Sequence, residues 1–164
     1  MGQTLVFKAP WSQSLTYITA ATCLTLIIGI GVLIFVSRQI GNASVGLFSI
    51  IIVLTAVLSA AFMVRGYEIA GDRLIIQRLG WTTEIALNNL DSAVYDPTAM
   101  EKSLRIFGNG GFFSFVGKFR TSKLGVYDAY VTAPRLAVVL KLGKKTVMVS
   151  PEKPEEFVAQ ILSR

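Results

Sequence analysis

The sequence predicts an α+β membrane protein, in which a two-helix transmembrane hairpin precedes a β-sandwich closed by a C-terminal amphipathic helix. Three observations predict it. Between Ala9 and Val64 the only charged residue is Arg38, whereas all ten carboxylates lie from Glu68 onward. Leu15–Val36 and Ala43–Val64 are apolar runs of 22 residues, about 33 Å of helix at 1.5 Å per residue, enough to cross a bilayer with slight tilt. Beyond Arg65 the pattern changes to short β-rich pieces separated by turn residues.

In chain order, Ser37–Asn42 supplies Arg38, Gly41 and Asn42 as a polar turn too short to do anything but return the chain antiparallel. Lys8, Arg65, Arg73 and Arg78 flank the terminal side of the two runs and only Arg38 the turn side. The positive-inside bias therefore places both termini in the cytoplasm of a bacterial inner membrane. A cleaved signal peptide fits poorly, because the first apolar stretch is too long and no small-residue cleavage site follows it before the second. Trp11 and Tyr17 suit an interfacial aromatic belt. Thr19, Thr22, Thr25, Thr55 and Ser59 can return their hydroxyl hydrogen bonds to the helix backbone. No Asp, Glu, Lys, Arg or His lies within either run, which argues for an anchor rather than a transport path.

The following domain reads as strands at Tyr67–Ala70 and Arg73–Leu79 around a Gly71-Asp72 hairpin, then Trp81–Leu87 and Leu90–Tyr95. Leu124–Thr132, Leu136–Leu142 and Lys145–Ser150 follow, the last two joined by Gly143-Lys144. After Pro151 and Pro154, Glu155 and Glu156 sit where a helix dipole favours negative charge. Phe157, Val158, Ile161 and Leu162 recur at helical spacing. The expected organisation is residues 1–64 as the hairpin and 65–164 as the domain.

Composition excludes several functions. The chain has no histidine, which removes the commonest general base and metal ligand together with every Ser-His-Asp arrangement. Its single cysteine, Cys23, has no partner in the chain for a disulfide. The net charge of +6 and pI near 9.7 fit the anionic face of a membrane better than nucleic acid, given the anchor. No carboxylate pair has catalytic or metal-loop spacing, and no cofactor is expected.

Six or seven short strands ahead of one helix is the order of a pleckstrin-homology-like (PH-like) domain. The stretches Tyr67–Leu74, Ile85–Leu90, Ser103–Gly111, Tyr130–Thr132 and Val147–Pro151 resemble those of a family of bacterial PH-like domains, most specifically through Phe107-Gly108-Asn109-Gly110-Gly111. Ala86 stands where related sequences often have proline. The resemblance implies the fold and a non-catalytic role, with no established ligand.

Ile106–Phe119 packs four glycines and five phenylalanines into fourteen residues. It is no phosphate loop: Phe112 stands where the first P-loop glycine belongs, and Phe119 where the magnesium-binding hydroxyl belongs. The simpler reading has a tight turn at Asn109-Gly110-Gly111 with alternate phenylalanines in the core, and Trp81 as a core or sheet residue. The functional reading takes Asn109, Gly110, Gly111, Phe112, Phe113, Lys118, Arg120 and Lys123 as a membrane or ligand contact. In it exposed rings enter the interface while the cations meet phosphates. The function expected is a membrane-anchored binding or adaptor domain acting on a protein or an anionic lipid at the cytoplasmic surface. The alternative is a structural subunit of a larger membrane complex.

Overall fold

A computed structural model describes residues 5–41 and 43–163. The chain begins with strand β1 (Leu5–Lys8) and passes into helices α1 (Gln13–Ile40) and α2 (Ala43–Ala61). Strands β2 (Val64–Ala70), β3 (Arg73–Arg78), β4 (Thr82–Ala86), β5 (Leu90–Tyr95), β6 (Leu104–Phe112), β7 (Ser114–Thr121) and β8 (Gly125–Val131) follow. A 3-10 turn at Pro134–Leu136, strands β9 (Val138–Leu142) and β10 (Lys145–Val149), and helix α3 (Pro154–Leu162) complete the fold. One sheet runs β1-β2-β3-β4 and the other β5-β9-β10-β8-β7-β6, with β10 parallel to β8.

Ser12 caps α1, its Oγ accepting from Leu15 N at 3.2 Å. Gly41 closes the helix in the left-handed region at φ 66°, donating its N–H to Ser37 O. The expected turn at Ser37–Asn42 is corrected by the structure: residues 37–40 are the last turn of α1, Gly41 ends it, and Asn42 lies outside the described residues. α1 is long and apolar enough to cross a membrane by length and composition. The second expected span, Ala43–Val64, is corrected by the structure: the helix stops at Ala61 because Val64 is already paired in β2 opposite Arg78. Its 19 residues make about 28 Å, slightly under the ~30 Å of a hydrocarbon core.

The domain contains a strand that the sequence does not announce. Leu5–Lys8 pairs antiparallel with β2, Leu5 opposite Ile69 and Lys8 opposite Gly66, so the sheet includes residues from ahead of the helices. Phe7 on β1 is buried and meets the Phe157 ring of α3 edge-on at 5.2 Å, which joins the two ends of the chain. The expected α3 signals hold in part: Pro154 starts it, Glu155 and Glu156 occupy its first turn, and Phe157 and Ile161 are buried, whereas Leu162 of the expected apolar face is exposed.

The main core lies between the sheets, around Tyr67, Leu74, Ile76, Leu140, Val147 and Phe157. Its polar pin is Tyr67, whose hydroxyl donates to Tyr130 O at 2.6 Å and accepts from Ser150 N at 3.1 Å. Ser150 Oγ accepts from Thr132 N and Ala133 N, which ties the β8 end to β10. Complete burial pushes the Tyr67 phenol up to about 12. Tyr67→Phe removes the bond to Tyr130 and deprives Ser150 N of an acceptor. Urea unfolding should show a loss of about 1–3 kcal/mol, and a change under about 0.5 kcal/mol would show that the hydroxyl pins nothing.

Candidate functional site

Three places tie the domain to the helices, and the site forms among them. The first is the connection of β1 to α1, where Ser12 N donates to Thr132 O at 3.1 Å and Leu15 is fully buried. The second is the β6–β7 hairpin tip. Thr19 on α1 donates its hydroxyl to Gly111 O at 3.4 Å and accepts from Phe113 N at 3.1 Å. Thr22, Thr25, Thr55 and Ser59 do bond back to their own helices, so Thr19 departs from the expected pattern by reaching across to the hairpin. At this tip Phe113 meets Trp11 at 6.2 Å and Phe112 at 4.4 Å, both phenylalanines being half-buried.

The turn itself differs from the expected one. Asn109, Gly110 and Gly111 lie within β6, and the chain reverses at Phe112-Phe113, with Phe113 in the left-handed region at φ 66°. Asn109 frames the reversal: its Oδ1 accepts from Phe112 N at 3.0 Å and its Nδ2 donates to Phe112 O. Gly108 and Gly117 serve a different purpose, facing each other across the ladder. A Cβ on either would stand 2.2 Å from a carbonyl oxygen of the other strand, so glycine is required at both for β6 and β7 to approach.

The third tie is built on Arg78, the last residue of β3. Its guanidinium carbon sits 5.3 Å from the Tyr130 ring centroid, 5.6 Å from Phe62 and 5.7 Å from Trp81, while Phe62 and Trp81 meet edge-on at 4.8 Å. Trp81 is 42% exposed, lies between β3 and β4 and belongs to this cage, which corrects its expected place in the core or the sheet. Arg78 Nε is buried without a hydrogen-bond partner, and among the described residues no carboxylate pairs with the side chain. Burial lowers its pKa and Tyr130 partly opposes that shift. The guanidinium nonetheless keeps its charge, as arginine does throughout proteins. Aromatic faces offset part of the cost of drying this cation, each by about 0.5–2 kcal/mol, yet leave room for an anion.

Arg78 opens into a cleft of about 580 Å³ between the end of α2 and the facing surface of β6, β7 and β8. Ser59 and Phe62 supply the helix wall, Arg105, Phe107 and Asn109 the β6 wall, and Lys118, Asp128 and Tyr130 the floor. Lys118 bonds Asp128 at 2.9 Å, and Lys145 reaches the same carboxylate at 3.2 Å. Burial pushes the Asp128 carboxyl up, but the two lysines together outweigh it and hold it below its ordinary value. Three cations thus share the cleft with one carboxylate, so it favours a negatively charged guest with an apolar portion.

Of the residues expected to form a contact, the structure brings Asn109 and Lys118 into this cleft. Arg120 is exposed and lies two residues along β7 from Lys118, on the same face. Gly110 stands beside the Arg105 side chain, and Gly111, Phe112 and Phe113 belong to the tip held by Thr19. Lys123 is elsewhere, paired with Asp96 at 2.6 Å. Sequence reasoning misses Arg78, Phe62, Trp81 and Arg105 as a group. Only the nearness of an arginine and a tryptophan at positions 78 and 81 hints at the cage.

A family model described as Bacterial PH domain matches residues 65–164, more than half of the chain. The chain belongs to this family. No curated protein and no solved structure matches it. Membership in the bacterial PH domain family supports a binding role in general, and the match begins after β1 and the two helices, the second of which borders the cleft.

Within this bacterial PH domain Asp96 is held at about 2 by hydrogen bonds from Lys123 and Thr98. A carboxyl lowered from 3.8 stabilises the fold above that value and ceases to do so as the pH falls toward 2. Asp96→Asn should therefore unfold at lower temperature than the native chain at neutral pH. The gap should close between pH 3.8 and about 2; a pH-independent gap would mean that the charge does not stabilise the fold.

Proposed function

We propose that this chain is a membrane-anchored, non-catalytic binding module whose domain takes anionic lipid headgroups at the cytoplasmic surface of a bacterial inner membrane. Both α1 and α2 cross the bilayer in this reading, residues 43–61 completing the hairpin. The termini and domain lie on the side marked by Lys8, Arg65, Arg73 and Arg78. The domain then comprises residues 65–164 together with β1, with the helices inserted between β1 and β2.

The observation that carries the reading is the partly dehydrated Arg78 guanidinium, met by no carboxylate among the described residues, in a cleft whose far wall is the last turn of an apolar helix. A lipid at the rim of α2 presents its phosphate to Arg78, Arg105 and Lys118 and its glycerol and chains to Phe62 and Phe107. Tethering raises the effective concentration of such lipids, so weak individual contacts suffice.

The test is native mass spectrometry of the full chain, released from detergent with phosphatidylglycerol or phosphatidylcholine. The full chain should retain the anionic lipid in preference, and Arg78→Gln or Lys118→Gln should each weaken that retention about fivefold, the equivalent of ~1 kcal/mol per cation. Lys118→Gln keeps the measurement informative if loss of Arg78 loosens the aromatic cage. Equal retention of both lipids by the native chain would overturn the lipid assignment. A tightly co-purifying protein released by Arg78→Gln, without lipid preference, would replace it with a protein ligand.

A further inference from the structure

We propose that strand β6 is embedded in the membrane interface, with Leu104, Ile106 and Phe107 inserted into lipid, so that the domain is seated on the bilayer by a strand as well as by its helices. This rests on the anchored reading above. Leu104 is 72% exposed, Ile106 56% and Phe107 76%, three large apolar side chains within four residues of one edge strand. A register shift between Arg105 and Phe107 places an extra residue in β6, which lets the consecutive Ile106 and Phe107 both stay exposed. An exposed apolar edge of this kind is a liability in water.

Where the edge lies identifies what covers it. The Gly111 end of β6 is bonded to Thr19 on α1, and Phe107 shares a cleft with Ser59 and Phe62 at the end of α2, so β6 runs across the base of the helix pair. α2 has only 19 residues, about 28 Å, so to cross ~30 Å of hydrocarbon it must use its full length, including Ser59 two residues before its end. Groups alongside Ser59 then lie at the boundary between acyl chains and headgroups.

Charge agrees with that depth. Pairing sets Leu104 opposite Arg120 and Phe107 opposite Lys118, and opposite residues share a face. The inserted side chains are therefore accompanied by two exposed cations at the level of lipid phosphates. Val126, opposite Arg120 on β8 and also exposed, extends the same surface.

The test uses the full chain in nanodiscs of phosphatidylcholine with a minority of phosphatidylglycerol, in a Cys23→Ser background. Single spin labels are placed through Phe107→Cys, Leu104→Cys, Val94→Cys and Ile28→Cys, and relaxation by oxygen is compared with relaxation by a water-soluble nickel complex. Labels at 104 and 107 should show an oxygen-to-nickel ratio severalfold above that at 94 and below that at 28. A ratio at 104 and 107 equal to that at 94, with 28 in lipid, overturns this inference and leaves the anchor standing. A water-like ratio at 28 overturns the anchor itself. Labels at 104 and 107 shielded from both reagents would mean that protein covers the edge, which also overturns the inference.

Discussion

The antiparallel pairing of Leu5–Lys8 with Gly66–Ile69 fixes the relation between the helices and the domain. Chain leaving β1 reaches α1 within four residues, and chain leaving α2 reaches β2 within two. Both ends of the helix pair are thus gripped by neighbouring strands of one sheet. Ala9 N donates to Arg65 O and Glu152 N to Lys8 O, extending the grip toward the helices and toward the C-terminal segment. Burying Phe7 against Phe157 contributes about 2–3 kcal/mol to holding a strand of only four residues. A domain held this way cannot swing freely on a linker, and its cleft keeps one orientation toward the helices.

That constraint explains why a cation can be left partly dry at the junction. Arg78 lies opposite Val64, the first residue of β2, so the ladder that grips the helices also places the guanidinium beside Phe62 at the end of α2. The aromatic cage, the short second helix and the basic floor of β7 are then consequences of one geometry. Together they bring positive charge and apolar surface to one cleft.

Much of the fold was legible because its signals are local. Gly71-Asp72 and Gly143-Lys144 do turn the chain, with Gly71 and Gly143 at positive φ, and Leu90–Tyr95 is the strand that its alternation predicts. The family resemblance also stands. What stayed hidden depends on distant partners. β1 is four residues whose pattern has meaning only against β2, some sixty positions away. The glycines of β6 read as a turn, since sequence cannot distinguish a glycine that reverses the chain from one that admits a facing strand. Thr19 looked like any hydroxyl in an apolar helix, and its partners, Gly111 and Phe113, lie more than ninety residues away. The contact residues were legible in part for the same reason: Lys118 and Asn109 reach the cleft, but Arg78 joins them only through the register of β2 with β3.

The central claim is that β1 pairs with β2 across the helix pair, and cross-linking in native membranes tests it most directly. In a Cys23→Ser background, Val6→Cys with Glu68→Cys places thiols at positions that face each other in the ladder. A short bismaleimide should join them within one chain, while Val6→Cys with Val94→Cys, on the other sheet, should remain unlinked. Failure of the 6–68 pair to link, with both thiols open to labelling, would contradict the account.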